Sequence, residues 1–290
     1  MTKLGAHVQH IERLFKQVKI IYDQNQSPFD GVCHVAKLCI EKISRSLKRV
    51  QSIANGKEYW VLQNDQNITR PYLPTLLIES SDEFERLWGV VVRSINPSTH
   101  VIELDEDTIN NVIYTSVMSF ALTYDLWKPK SRKTPGTYFE VVLGSIMSRM
   151  LPLHTRLKHI ILPGQAENVS TDIVFQPNGE GPSLVIPAKI TTRERIVQPF
   201  AHQRILDSVF GVGQYKSILM CVSETQRDED TGVNDICVPG TIRLFQTHLA
   251  RMYGIYYLDP PNRYLQDDIT SIITVGSVAS FLSRDVVNFI

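Results

Sequence analysis

The chain lacks the charge excess of a general nucleic-acid binder. Its 30 basic and 30 acidic side chains cancel to zero, whereas proteins that hold any nucleic acid are usually basic. A binder that reads one sequence remains open, because it needs its cations on one face only. Cysteine is scarce. The four, at positions 33, 39, 221 and 237, form no C-x-x-C pair, and no histidine lies at zinc-finger spacing. That excludes a disulfide framework and a zinc module, and free buried thiols of a reducing cytoplasm are expected. No apolar run approaches the roughly 20 residues that span a bilayer. The opening MTKLGAHVQHIERLFK has no secretory apolar segment. The expected location is cytoplasmic, with no membrane partner. Internal repeats and low-complexity segments are absent too. The 290 residues, 43% of them hydrophobic, suffice for one large domain or a core with a subdomain.

What is present begins with helical spacing. Leu4, Val8, Ile11, Leu14, Val18 and Ile21 line one helix face. After the turn NQSPFDG, a second helix is expected through Val35, Leu38, Ile43, Leu47 and Val50. The stretch from Gly56 to Pro74 reads as loop with short strands. Ser80 with Glu83 forms a potential capping box for a helix to about Ser94. Another helix covers Thr108 to Leu126, and KPKSRK at 128–133 reads as a linker. Thr134 as N-cap and Pro135 at the first helical position open the helix TYFEVVLGSIMSRML. Strand patterns follow: TDIVFQ and SLVIPAK flank PNGEGP, whose Asn178-Gly179 is a hairpin signal. Then come a helix from about Val197 to Val209, the strand SILMCVS, a helix around TIRLFQTHLARMY and the strand GIYYL. This order predicts an α/β fold: a mixed central sheet flanked by helices, behind a mostly helical N-terminal region. The expected division falls between a mostly helical region, residues 1–127, and a sheet-bearing core, residues 128–290.

Three residues carry chemistry together: Glu140 on a helix, Asp172 in one hairpin strand and Lys189 at the end of the other. Phosphodiester hydrolysis uses a divalent cation held by carboxylates to polarise the phosphate and activate water. A lysine beside it orients that water and offsets phosphate charge. Four residues beyond Lys189 stands Arg193-Glu194-Arg195. Arginine donates a bidentate pair to O6 and N7 of guanine, and glutamate accepts from N4 of cytosine. Alone, each feature is ordinary surface: a solvated ion pair, a charged helix entrance. Their adjacency gives them meaning. Other candidates read as structural. GVGQ at 211–214 lacks a dinucleotide-loop context and reads as a helix exit, Trp60 as a packing residue, and Asp228-Glu229-Asp230 as a solvated loop. His154, His159 and His248 have no ligand spacing.

Asp172, Lys189 and the helical Glu140 resemble the PD-(D/E)XK nuclease pattern. K189-x-x-x-R193-E194-R195 resembles the K-x-x-x-R-(D/E)-R signature of the CCGG/CCNGG-recognising type II restriction endonucleases, the SsoII/EcoRII/NgoMIV-like group. The likeness covers roughly residues 134 to 260. It implies a PD-(D/E)XK core and Mg2+-dependent double-strand cleavage at a palindrome containing CC and GG. Asp172 and Glu140 would bind the metal, Lys189 would act in catalysis, Arg193 and Arg195 would contact guanines and Glu194 the cytosines. It also implies a homodimer or a tetramer on double-stranded DNA, with a cognate DNA methyltransferase protecting the host site. Two positions depart from the pattern. The acid expected two residues before the lysine is Pro187, which suits an edge or a bulge. A glutamate often recruited thirteen or fourteen residues after it is replaced by His202 and Gln203. His202 through nitrogen, Gln203 through its carbonyl, a water, or Asp172 and Glu140 alone would complete the site. A structure-specific repair nuclease and a non-cleaving DNA-binding protein are the competing functions.

Overall fold

Apolar residues at helical spacing fold as expected into α1 (Lys3–Asp23) and α2 (Phe29–Ser44). The computed structural model describes residues 3–44, 48–54, 56–228 and 232–290, with backbone alone at 3–7, 48–53 and 194. It departs from the helical pattern after Ser44. Val50 lies in strand β1 (Lys48–Ala54), paired antiparallel with β2 (Lys57–Gln63); Leu47 lies outside the described residues. Around Val50 there is thus a strand where helix was expected, and its partner β2 is one of the short strands expected after Gly56. Helix α3 (Ser81–Arg93) starts at Ser80, whose Oγ accepts the Glu83 N–H at 3.3 Å. The reciprocal half of the capping box is not made, because the Glu83 carboxylate pairs with Arg86. A small pair, β3 (Ile95–Asn96) and β4 (Val101–Ile102), precedes α4 (Glu106–Trp127). Asp105 caps α4 by accepting from the Thr108 N–H at 2.8 Å. In α5 (Thr134–Met150), Thr134 is the first helical residue rather than the cap.

The remaining elements are β5 (His154–Ile161), β6 (Asn168–Pro177), β7 (Ser183–Ile186), β8 (Ala188–Lys189), α6 (Val197–Phe210), β9 (Tyr215–Cys221), β10 (Thr225–Arg227), β11 (Val233–Asp235), α7 (Pro239–His248), β12 (Gly254–Tyr257), α8 (Asp267–Thr270), β13 (Val275–Ser277) and α9 (Val278–Ser283). The chain divides into two compact units. The first holds Met1–Ile95, Leu104–Arg149 and Thr225–Asp235; the second holds Asn96–Glu103, Met150–Glu224 and Ile236–Ile290. These units follow a different line from the division expected at residue 127, since α5 groups with the preceding helices. No helix among the described residues is long and apolar enough to cross a membrane.

The first unit is built around α4, buried on nearly every side, as suits a central helix. Several of its buried hydroxyls find partners. The Thr115 hydroxyl accepts the Ile78 N–H at 2.8 Å, Ser116 meets the Tyr138 hydroxyl at 3.2 Å, and Tyr138 also donates to the Val32 carbonyl at 3.1 Å. The Phe120 and Tyr138 rings stack with centroids 4.2 Å apart, and Phe15 meets both edge-on.

The second unit holds the mixed sheet, in strand order β13-β12-β9-β7-β6-β5 with β8 also on β9. β5, β6 and β7 run antiparallel, while β9, β12 and β13 continue parallel to β7. Helix α6 connects β8 to β9 and α7 joins the segment before β12, as parallel crossovers require. α6 seals the sheet with Phe200 in one apolar cluster and Leu206 in another. The turn between β6 and β7 is wider than the Asn178-Gly179 signal implies. Its positive-φ residue is Gly181, at φ 132°, not Asn178 or Gly179. All four cysteines are free, three buried and Cys237 half-buried. Burial pushes the Cys33 thiol up to about 11 and Cys39 up to about 12, so neither is a ready nucleophile.

Candidate active site

Pro187 shapes the site. Ser183 faces Tyr215 in the β7–β9 ladder and Ala188 faces Met220 in the β8–β9 ladder, with the same offset in both. The strand is therefore one line interrupted at a proline that brings no N–H. This agrees with the edge or bulge expected of the proline: it stands at the end of β7, where pairing with β6 stops at Ile186 and pairing with β9 resumes at Ala188. The last β6–β7 pair is Ile173 with Ile186. One residue further, the Asp172 side chain replaces the ladder: its Oδ2 accepts the Ala188 N–H at 2.8 Å. The same oxygen accepts from Lys189 Nζ at 2.7 Å. The pair is about one-fifth exposed on each side, so it is shielded yet reachable from solvent.

The two lie in a cavity of about 180 Å³ with Ser170, Thr171, Pro187, Gln198, Pro199 and His202. Of these, Ser170, Thr171, Gln198 and Pro199 carry no sequence signal of their own. Burial lowers the His202 pKa from the usual imidazole value; the nearby Lys189 cation adds to this and Asp172 opposes it. Gln203 is elsewhere. It is fully buried, its Nε2 donates to Asp207 at 2.7 Å and to the Tyr215 carbonyl at 2.9 Å, and its Oε1 accepts the Ser217 N–H at 2.9 Å. Its carbonyl oxygen ties α6 to β9, which removes Gln203 as a ligand in this cavity. Adjacent residues point about 100° apart around a helix, so only His202 reaches the cavity. Glu140 lies in the second turn of α5, half-buried, within the first unit.

Beyond Lys189 the chain stays zipped to the end of β9. Val222 N–H donates to the Lys189 carbonyl at 3.0 Å, and Ser223 N–H to that of Ile190 at 3.1 Å. A short 3-10 turn, Arg193–Ile196, follows. Thr192 and Ile196 bury its two ends, while Arg193 and Arg195 are exposed. Arg195 donates back to the Thr191 carbonyl at 3.2 Å. The Glu194 side chain lies outside the described residues, as do Glu229 and Asp230 of the acidic loop. Of the other candidates, the Trp60 indole N–H donates to Glu58 at 3.1 Å, and Trp60 bridges Tyr72. In GVGQ, Gly211 and Gly213 take φ 94° and 89° at the exit of α6, conformations that glycine adopts without penalty. His159 and His248 are exposed, and His154 is half-buried.

Among the described residues no three His, Cys, Asp or Glu side chains cluster tightly enough to cage a metal. Asp172 has one oxygen that takes neither recorded hydrogen bond. Magnesium needs little more from a protein, being held by one or two carboxylates together with waters and substrate phosphate. The donor set therefore fits a hard cation and not zinc.

The fold has a close counterpart in the crystal structure of the type IIP restriction endonuclease Kpn2I. That structure superimposes with a TM-score of 0.86, at 37% sequence identity, over 96% of this chain and 97% of the other. The chain belongs to the type II restriction endonucleases. The restriction endonuclease PspGI bound to substrate DNA is also similar, with a TM-score of 0.37 and 13% identity over 63% of this chain and 76% of that one. No protein-family model and no curated protein sequence matches. As a type II restriction endonuclease, the protein is a DNA-binding, site-specific deoxyribonuclease. The PD-(D/E)XK-like fold is the one expected, and neither the repair reading nor the non-cleaving one is needed. Enzymes of this family generally work with divalent metal ions.

Proposed function

We propose that this endonuclease cuts both strands of a palindrome with CC at one end and GG at the other, in a magnesium-dependent reaction. What supports this most is the 2.7 Å contact between Lys189 and Asp172, four residues before an exposed turn bearing Arg193 and Arg195. Asp172 would hold the magnesium, which supplies polarisation of the phosphate and charge stabilisation at the departing 3′-oxygen. Asp172 keeps Lys189 extended toward the phosphate. Lys189 orients the attacking water and offsets the charge growing on the phosphorus oxygens. His202, held toward its neutral form by burial and by Lys189, is a poor magnesium ligand and instead accepts a hydrogen bond from water in the cavity. Arg193 and Arg195 donate to guanine O6 and N7, and Glu194 accepts from cytosine N4.

Cutting both strands of a palindrome calls for twofold symmetry, so a homodimer reads one CC/GG half-site per protomer. The helices of residues 1–127 would make the dimer contacts and clamp the duplex, and pairing of dimers would give a tetramer. A methyltransferase of the same specificity would protect host DNA. The test is digestion of a sequenced DNA with and without magnesium, followed by mapping of the ends. Discrete fragments sharing CC and GG at each cut are expected. Cut sites without those pairs would remove the assigned specificity, and undiminished cutting in a chelator would remove the metal.

A further inference from the structure

Glu224 is a buried carboxyl group, 1% exposed, and among the described residues no cation pairs with it. It directly follows the two rungs that zip residues 189 and 190 to the end of β9. Its oxygens accept the Thr192 N–H at 3.1 and 3.2 Å, the Thr192 hydroxyl and the Tyr257 hydroxyl at 3.2 Å, and the neighbouring Arg193 N–H favours the charged carboxylate as Thr192 does. Burial raises the Glu224 pKa, and these donors oppose that shift without cancelling it.

The backbone around these donors is unusual. Thr192 is right-handed, at φ −97° and ψ −50°, and Arg193 is left-handed, at φ 49°. Successive right- and left-handed residues turn neighbouring N–H groups toward one point and form an anion-binding nest. A residue with a Cβ holds a left-handed φ only where its surroundings impose it. Here the nest is filled by a carboxylate of the same chain.

We propose that Glu224 is a positioning residue for DNA recognition: its carboxylate, seated in the Thr192–Arg193 nest, fixes the turn that presents Arg193 and Arg195 to base edges. This rests on the assignment of base reading to the arginine-flanked motif. Glu224 touches no DNA in this role. It sets the direction in which Arg193 leaves the backbone.

The test measures equilibrium binding with calcium in place of magnesium, to three duplexes. One carries the mapped cleavage site, one carries it with a single G·C pair replaced, and one is unrelated. Glu224→Gln should lower the ratio of the first affinity to the second by about tenfold and leave affinity for the unrelated duplex unchanged. Thr192→Val, which deletes one donor from the clamp, should move the ratio the same way by less; it carries the test should Glu224→Gln fold poorly. In an Arg193→Ala background neither change should lower the ratio further. Loss of thermal stability with an intact ratio in both variants would overturn the role, as would effects that multiply with Arg193→Ala. Should Arg193→Ala itself leave the ratio unchanged, base reading by the motif falls, and the role of Glu224 with it. A ratio lost in Arg193→Ala and kept in Glu224→Gln overturns Glu224 alone.

Discussion

The interior of the helical unit and the strip of sheet around Asp172 treat backbone regularity in opposite ways. Along α4 the helix is continuous for 22 residues, and hydroxyls such as Thr115 and Ser116 are matched to nearby groups. Around Asp172 a proline breaks the strand, a side chain replaces a ladder bond, and Arg193 takes a left-handed φ. Regular packing supplies stability in the first region. Irregularities gather in the second, where the proposed chemistry and recognition need side chains aimed off the regular pattern. The two kinds of residue should therefore respond to substitution in different assays.

The largest effect belongs to the carboxylate proposed to hold the metal. Asp172→Asn keeps an acceptor for the Ala188 N–H but removes the charge, and cleavage should fall about 10³-fold or more. Specific binding in calcium should survive, and single-turnover cleavage beside a gel-shift assay separates the two. A variant that still cuts normally would erase the contrast between the regions. Phe120→Ala, in the aromatic stack of α4, should cost about 3–5 kcal/mol in urea unfolding, with discrimination between duplexes unchanged in the folded fraction. Arg193→Ala should lose about 1–3 kcal/mol of discrimination at one G·C pair. Arg193→Gly should lose as much discrimination, yet unfold about 1 kcal/mol harder than the alanine variant, because it releases the left-handed strain. Equal stabilities would mean that the turn holds no strain.

The smallest effect lies at a helix end. The Thr108 N–H holds the Asp105 carboxyl below its usual pKa. A depressed folded-state pKa contributes stability above the unfolded value, and that contribution disappears as pH falls through the folded one. Asp105→Ala should lose about 1 kcal/mol at neutral pH. The difference from the parent protein should shrink below pH about 4, and thermal melts across pH would show it.

Local signals were legible in the sequence. The α5 start, the β6–β7 strands and the helix after Arg195 follow from periodicity and turn residues, and the Asp172–Lys189 contact follows from an antiparallel return. What stayed hidden is of longer range. Leu47 and Val50 continue a helical spacing, so the break after Ser44 left no local mark. β5, with the sequence HTRLKHII, is mostly polar and exposed, and becomes a strand by pairing with β6. The choice between His202 and Gln203 depends on how α6 is rotated against β9. Glu224 stands 32 residues from Thr192, and no spacing rule links a buried carboxylate to a left-handed turn.

The rungs between residues 188–190 and 220–223 have a consequence for altering what this enzyme recognises. Each added or deleted residue there would swap the two sides of the strand, turning Lys189 away from Asp172 before any new base was met. With base reading at 193 to 195 as proposed, fresh specificities are open to exchanges made in place there and closed to changes of length upstream: the alphabet can be rewritten while the line spacing stays fixed.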